Sequence, residues 1–332
     1  MSSFLSICIP TYNRSSCLFE CLTSICGAIS GNESNVEIII SDNASTDNTI
    51  EVIKYFTRKH EIIRYHRNQV NIGGENNFRF VATLAEGKYI WVFGDDDRME
   101  KNAIQVVLSA AANNYSIILC NYSVWTSDFN RKLRSSKIKK SKDEIVNNKN
   151  NLLEKYHVHL SYISSIVVQK DLFLLLKSSE YEFFNEYGMS FMNAIYVGFS
   201  REGSTAMFIS EEIVNNRSGN SGNFNFYKYF AVGIALVFNN LLKYGYSELA
   251  ISYAKKQNLV KFVLPMALYL SLKSDYDRFQ VLRWMFTYYK KIIEFWIIFL
   301  PIWATPKLLI KIIKNAGVLR SKIISNYDMR RK

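Results

Sequence analysis

Paired cysteines are missing from this chain. Its five cysteines, Cys8, Cys17, Cys21, Cys26 and Cys120, are odd in number and none stands in C-x-x-C spacing. That argues against a disulfide framework and against a zinc ribbon, and leaves buried, reduced thiols in a reducing compartment as the reading. The first residues, MSSFLSICIPTYN, hold no basic stretch, no long apolar core and no small-residue cleavage site, so a secretory leader is not expected there. Long apolar runs are equally scarce: the most apolar window, 295–304, is interrupted by Pro301 and falls short of the roughly 18 residues a bilayer span needs. Acidic residues are in deficit, with 41 Lys and Arg against 29 Asp and Glu, a net charge of +12. From Arg283 onward eleven basic residues stand against Glu294 and Asp328, so nine of the twelve charges belong to that end. Such a surplus suits an anionic surface; no recognised nucleic-acid module accompanies it, so no nucleic-acid partner is expected.

What is present is ordinary globular composition, 48% apolar and 21% charged, over 332 residues, enough for one large domain or two. The chain is organised around 87–99, GKYIWVFGDDDRM. Tyr89 to Phe93 is a short aromatic and β-branched run that predicts a buried strand. Asp95, Asp96 and Asp97 follow a glycine and repel one another unless something positive neutralises them. A solvated acidic turn is one reading. A hard divalent cation held against phosphate is the other, favoured by the position at the carboxyl end of a buried strand.

Earlier segments repeat that logic. Phe4 to Ile9, Val36 to Ile40 and Ile62 to Arg67 read as strands, separated by helical patterns through Leu18, Leu22 and Ile25 and over Ile50 to Lys59. A further helix is predicted over Phe78 to Ala85, another over Asn102 to Ala112, and a strand over Tyr115 to Tyr122. Strands alternating with helices imply βαβ units and a mainly parallel sheet. Each polar turn then follows a strand. Tyr12, Asn13, Asp42, the Asn71 to Asn77 loop and the acid triplet therefore gather along one rim, the expected ligand cleft.

Four segments in order, SICIPTYNR, IIISDNASTDNT, NIGGENN and AEGKYIWVFGDDD, resemble family 2 glycosyltransferases of the GT-A type over roughly residues 3 to 110. The GKYIW and GDDD wording, with SYISSIVVQK at Ser161 to Lys170, is most similar to the abequosyltransferase-like enzymes of bacterial surface polysaccharide synthesis. The resemblance implies a nucleotide-sugar site that uses Pro10, Tyr12, Asn13, Asp42, Asn77, Asp95, Asp96 and Arg217. It also implies Mg²⁺ or Mn²⁺ held by Asp95, Asp96 and Asp97 against the diphosphate. Asp42 can accept from a base N–H and Tyr12 offers a stacking face, though Asp42 is equally suited to cap a turn. Two departures stand out. Gly94 replaces an aspartate common in relatives, and Asn77-Phe78-Arg79 replaces the usual Ala-Arg-Asn, leaving Arg79 either on sugar or phosphate or at the surface.

The acceptor half is less legible. Inverting transfer needs a group to take the acceptor hydroxyl's proton. Family members often present a Glu-Asp pair at a helix start, and the comparable stretch here, YEFFNEYGMSFMNAIYV at 181–197, lacks it. Glu186 is the nearest candidate, with Glu182 behind it. Seven basic residues in RKLRSSKIKKSK at 131–142 read as a solvated insertion or as a flank of the cleft. From Tyr227 on the pattern is helical, over Phe230 to Leu242, Leu259 to Leu272 and Arg283 to Ile298. An amphipathic basic stretch after Pro306 suits either an anionic cytoplasmic leaflet or a bundle with a solvated face.

The expected architecture is thus an α/β, GT-A type domain over 1–225, with a nucleotide-binding half 1–112 and an acceptor half 113–225. A helical, basic, membrane-associating region follows over 226–332. The expected activity is metal-dependent inverting sugar transfer from a nucleotide-sugar donor to a saccharide acceptor, lipid-linked, for O-antigen or capsule. The expected location is cytoplasmic, peripheral on the inner face of the plasma membrane. Alternatives are a degenerate nucleotide-sugar or partner-binding domain and a sugar nucleotidyltransferase. The last lacks the Gly-rich, Arg- and Lys-bearing phosphate loop expected near its first strand.

Overall fold

The computed structural model describes residues 4–29, 31–135, 138, 141–176, 178–219, 225–270 and 277–305. They form two compact units, one within 1–149, 159–185 and 190–220, the other within 150–158, 186–189 and 221–332.

In chain order the first unit begins with β1 (Leu5–Thr11), α1 (Ser15–Ile29), β2 (Val36–Asp42), α2 (Thr49–Thr57), β3 (Ile63–Arg67), α3 (Gly74–Thr83) and β4 (Tyr89–Val92). It continues through β5 (Arg98–Met99), α4 (Ala103–Ala111), β6 (Ile117–Trp125), β7 (Lys132–Ser135) and β8 (Glu144–Val146). After α5 (Lys149–Tyr156), which lies almost wholly in the second unit, come β9 (Ile166–Gln169), α6 (Lys170–Phe173), α7 (Ser178–Asn185), α8 (Ser190–Phe199) and β10 (Ala206–Arg217).

These strands make one sheet in the order β3-β2-β1-β4-β9-β6-β10-β5, with β7 on β6 and β8 on β10. The long ladders, β1 with β2, β2 with β3 and β6 with β10, are parallel, and β9 joins the two blocks by antiparallel pairing. Every residue of β1, β2 and β4 is buried, as a sheet covered on both faces requires. Alternation sorts the faces: Leu5, Ile7, Ile9, Ile38, Ile40 and Trp91 pack with α1, α2 and α4, whereas α3 covers β1, β2 and β4 from outside that cluster and packs against α8. Each fully buried Ile or Leu contributes about 1.5–3 kcal/mol.

The parallel register brings the functional loops level. Thr11 pairs with Asp42, and Asp42 pairs with Arg67. Phe93 N–H donates to the Cys8 carbonyl at 2.9 Å, so the acid triplet leaves the sheet beside the end of β1. At the opposite end β4 enters through Gly87, where a Cβ would lie 2.6 Å from Ser6 Oγ and 2.9 Å from Ser6 N. Glu37 closes that end. Its carboxylate accepts from Ser6 Oγ and the Glu86 amide and pairs with Arg64.

Local readings shift in two places. The helix expected from Phe78 starts at Gly74, because Gly73 at φ 86° turns the chain directly into it. The basic stretch after Arg131 opens as edge strand β7, in which Lys132 and Ser135 are exposed and Leu133 and Arg134 half-buried, with the charges that keep an edge from pairing further.

The second unit adds α9 (Ile234–Asn240), α10 (Glu248–Asn258), α11 (Leu264–Leu270), α12 (Arg278–Tyr289) and α13 (Leu300–Ala304). Its core is aromatic: Phe226, Tyr227, Tyr289, Phe295, Phe299 and Trp303 are buried, and the last three stack at 5.7 and 5.6 Å. Tyr289 OH donates to the Ala231 carbonyl and accepts from Asn258 Nδ2, so the buried hydroxyl is satisfied. Two π-wound turns, Leu259–Val263 and Phe295–Phe299, lie just ahead of Pro265 and Pro301. A proline has no N–H for the i−4 bond, and the preceding turn widens to accommodate it. The amphipathic stretch after Pro306 lies outside the described residues.

Candidate active site

The site is built where β1, β2 and β4 end. Asn13 adopts φ 51°, a left-handed conformation asparagine tolerates. That turn lets its side-chain oxygen accept from Thr46 N at 2.7 Å while its own N–H donates to Ser45 Oγ at 2.9 Å. Asp47 accepts from Ser15 N at 3.0 Å and from Thr49 at the start of α2. The turns after β1 and β2 are therefore stitched into one wall, from which the Tyr12 ring stands 42% exposed. Pro10 is buried within β1, directly opposite Ser41.

Asp42 lies at the foot of that wall with no exposed surface. Its Oδ1 accepts from Ser45 N at 2.9 Å, so it does close the turn. Its Oδ2 is buried without a hydrogen bond, and the Arg67 Nε stands 3.7 Å away. A buried carboxylate oxygen that accepts no hydrogen bond, even with a guanidinium nearby, is costly and marks a place where a ligand N–H fits. Beside it runs an asparagine network: Asn43 Nδ2 donates to Asn71 Oδ1, and Asn68 Nδ2 donates to both Asn43 and Asn77. Asn77 is fully committed, accepting from Ser41 Oγ at 2.6 Å and donating to the Ser41 carbonyl at 2.9 Å. Its position fixes the loop against β2.

The acid triplet divides. Asp95 accepts from Thr11 Oγ1 at 2.7 Å and from Arg14 Nη1 at 3.0 Å, and the same Nη1 reaches Asp96 Oδ2 at 3.1 Å. Asp97 faces inward, accepting from Tyr162 OH at 2.7 Å, Ser164 Oγ at 2.6 Å, Asn216 Nδ2 at 3.2 Å and Arg217 N at 3.1 Å. Burial lifts the carboxyls of Asp95 and Asp97 above the usual range, with Asp96 beside them adding to it and Arg14 pulling Asp95 back down. Gly94 is packed against this cluster: a Cβ there would sit 3.1 Å from Asp97 Oδ2 and from Ser164 Oγ. Asp97, expected among the metal ligands, thus has its oxygens occupied by hydroxyls and amides. Among the described residues no three His, Cys, Asp or Glu converge as a ready metal cage.

Arg217, expected at the ligand, and Arg79, left open between ligand and surface, are both engaged within the protein. Arg217 is 7% exposed at its side chain, donates from Nε to the Asp96 carbonyl at 2.8 Å, and pairs with Glu20. Its guanidinium lies 4.4 Å from the Phe129 ring centroid, and Arg98 lies 4.0 Å from the same ring. Arg79 stacks on Tyr181 at 4.3 Å. Glu186 belongs to the second unit, is 64% exposed at its side chain and pairs with Lys228 at 3.3 Å. Sequence reading passed over Arg14, Thr11, Tyr162 and Ser164. Arg14 and Thr11 lay inside the SICIPTYNR segment, and Tyr162 and Ser164 inside SYISSIVVQK, so the signal was present without a role attached.

The model of glycosyl transferase family 2 matches residues 6–174. An abequosyltransferase of Salmonella typhimurium is 35% identical over 178 residues, 50% of this chain and 53% of that protein. A GalNAc(5)-diNAcBac-PP-undecaprenol beta-1,3-glucosyltransferase of Campylobacter jejuni is 29% identical over 118 residues, 35% of this chain and 37% of that one. The chain therefore spans about half the length of the first of these relatives and less of the second. In structure it matches S. aureus TarS 1-349 in complex with UDP-GlcNAc with a TM-score of 0.67 at 17% identity, covering 87% of this chain and 81% of that one. The fold is therefore that of the GT-A neighbours, a mixed, mostly parallel sheet with flanking helices and a helical C-terminal region. By its matched domain, over half its length, the chain belongs to glycosyl transferase family 2.

Proposed function

We propose that this protein is an inverting, metal-dependent glycosyltransferase. It moves a sugar from a nucleotide-sugar donor to a lipid-linked saccharide acceptor in bacterial surface polysaccharide synthesis. The observation that carries the reading is the pairing, on one rim, of Asp42 Oδ2, which accepts no hydrogen bond and has only the Arg67 guanidinium 3.7 Å away, with the carboxylates of Asp95 and Asp96. The first suits a nucleobase N–H beside the exposed Tyr12 ring; the second suits a cation against a diphosphate. The names of the Salmonella and Campylobacter relatives support transfer onto polysaccharide precursors, and the second names a polyprenyl diphosphate carrier.

The residues present fit a divalent metal. One guanidinium already bridges Asp95 and Asp96, which shows that the two carboxylates accept positive charge between them. Asp96, with Asp95 beside it, would hold Mg²⁺ or Mn²⁺, and the bound ion would neutralise charge on the leaving diphosphate. Arg14 stays close enough to share that task, and Thr11 keeps the Asp95 carboxylate oriented.

Association with an anionic membrane is part of this reading. In the second unit Phe279, Phe286, Ile293, Trp296 and Ile297 are exposed, with Arg283, Lys290 and Lys291 exposed among them. Aromatic and aliphatic side chains ringed by cations suit an interfacial position on an anionic leaflet. No helix among the described residues is long and apolar enough to cross a membrane.

The test is binding of UDP-, dTDP-, GDP- and CDP-sugars with and without Mn²⁺, beside Asp96→Asn. Metal-dependent binding of one nucleotide class, lost in the variant, is the expected result. A folded protein that binds none of them under any metal condition overturns the reading and leaves the partner-binding alternative.

A further inference from the structure

We infer that Arg217 is a positioning residue for Asp96. Its guanidinium fixes the main chain from which the outward carboxylate is presented to the cation, and its charge is spent inside the protein rather than on the donor's diphosphate. This rests on the reading above that Asp96 takes part in holding the metal.

The turn that carries the acids is tight: Asp97 N–H donates to the Gly94 carbonyl at 3.2 Å, so Asp95 and Asp96 are its two central residues. Side-chain bonds orient the acids on either side of Asp96, Asp95 through Thr11 and Arg14, Asp97 through Tyr162, Ser164 and Asn216. Asp96 differs. Its carboxylate has Arg14 as its side-chain partner among the described residues and is 19% exposed, so its direction depends on the backbone that bears it. At the Asp96 carbonyl that backbone is held by Arg217, whose Nε donates at 2.8 Å. The main-chain N–H of Arg217 donates to Asp97 Oδ1 at 3.1 Å. One residue at the end of β10 thus grips two consecutive members of the triplet.

Every nitrogen of the guanidinium is in use. Nε holds the Asp96 carbonyl, Nη1 donates to the Ser127 carbonyl, and Nη2 pairs with Glu20 on α1. The group lies 4.4 Å from the Phe129 ring centroid, and its side chain is 7% exposed. A planar fork anchored in this way keeps an orientation that the single nitrogen of a lysine does not reproduce. A phosphate ligand needs the opposite, donors turned to the cleft with hydrogens to give. Contacts that orient a ligating carboxylate without touching the ion set metal affinity by roughly 10–100-fold.

Nucleotide binding with and without Mn²⁺ separates the two roles. The probe is whichever of UDP, dTDP, GDP and CDP the unaltered protein binds, and free Mn²⁺ is followed by its electron paramagnetic resonance signal during titration. Expected for Arg217→Gln is an Mn²⁺ affinity, with the nucleotide present, lower by about 10–100-fold, and an unchanged nucleotide affinity in EDTA. A purely structural residue lowers the unfolding midpoint and leaves the Mn²⁺ affinity of the folded protein where it was. Arg98→Gln supplies the comparison: it takes the neighbouring guanidinium from Glu20 and Phe129 while the Asp96 carbonyl stays bonded, and it should keep the Mn²⁺ affinity. Arg217→Gln that binds Mn²⁺ as the parent does, or an equal loss in Arg98→Gln, overturns the assignment. So does an Arg217→Gln that loses the nucleotide in EDTA, because the guanidinium is then a phosphate ligand.

Should Arg217→Gln fail to fold, Arg217→Lys decides. Lysine keeps the positive charge that a phosphate would meet but not the fork, so Mn²⁺ affinity should still fall while nucleotide binding in EDTA is kept. A lysine variant with the parent's Mn²⁺ affinity overturns the assignment. An unaltered protein that binds none of the nucleotides removes the transferase reading; one that binds a nucleotide with no dependence on Mn²⁺ removes the metal role of Asp96, and this inference with it.

Discussion

Asp95 and Asp97 are two residues apart, and each is held by a different half of the sheet. Asp95 is gripped from the parallel block, by Thr11 at the end of β1 and by Arg14 just beyond it. Asp97 is gripped from the mixed block, by Tyr162 and Ser164 ahead of β9 and by Asn216 and Arg217 at the end of β10. The difference is one of chemistry as well as place. A cation faces Asp95, whereas only neutral hydroxyls, an amide side chain and a backbone amide face Asp97. Between them Asp96 shares Arg14 as its side-chain partner among the described residues and keeps 19% of its side chain exposed. A run of three identical residues therefore holds one seam closed at each end and leaves the middle carboxylate turned toward the cleft.

Substitution should break that equivalence. Asp96→Asn removes the outward charge without stranding a buried donor. Turnover should fall roughly a thousandfold, the several kcal/mol that a metal supplies to charge stabilisation. Its unfolding free energy should stay within about 0.5 kcal/mol of the parent. Asp97→Ala should do the reverse first. It leaves two hydroxyls and two amides facing an empty space, and unmet buried donors cost about 1–3 kcal/mol each before relaxation, so a loss of about 3 kcal/mol is expected in urea unfolding. If Asp97→Ala proves as stable as the parent but loses Mn²⁺-dependent nucleotide binding, the two ends of the triplet have been assigned the wrong way round.

The same contrast governs what the sequence made legible. In the parallel block, strands such as Val36–Asp42 and Tyr89–Val92 are buried on both faces, so burial forces continuous apolar spelling and polar ligand residues appear abruptly at their ends. Three of the predicted strands and the rim they form could be read directly. β10, the longest strand, could not, because Ala206–Arg217 contains Ser210-Glu211-Glu212 and Asn215-Asn216 and shifts register around Glu212. A bulge breaks the period-two pattern on which a strand is recognised. Arg217 could be singled out as a cation near the cleft. That its charge would be spent on Glu20 depends on α1 and β10 meeting, which no local pattern encodes.

The smallest expected effect tests the tie between the halves. Glu20 on α1 receives Arg98 Nη2 at 2.8 Å and also the Arg217 guanidinium, and both arginines lie over the Phe129 ring. Burial alone would raise the Glu20 carboxyl, but the hydrogen bonds from Arg217 and Arg98 outweigh it and hold the group below its usual range. A depressed carboxyl contributes stability above its unfolded value and loses it as pH falls through the folded one. Glu20→Gln should therefore cost about 1 kcal/mol at pH 7, a modest figure because 39% of the side chain meets solvent. The difference from the parent should shrink progressively as pH falls below the ordinary glutamate range toward the lowered folded value, and should shrink in high salt. If it persists unchanged in strong acid, both arginines are held by the Phe129 face, and Arg217 also by the Ser127 carbonyl, rather than by charge, and the seam between the halves is one of packing.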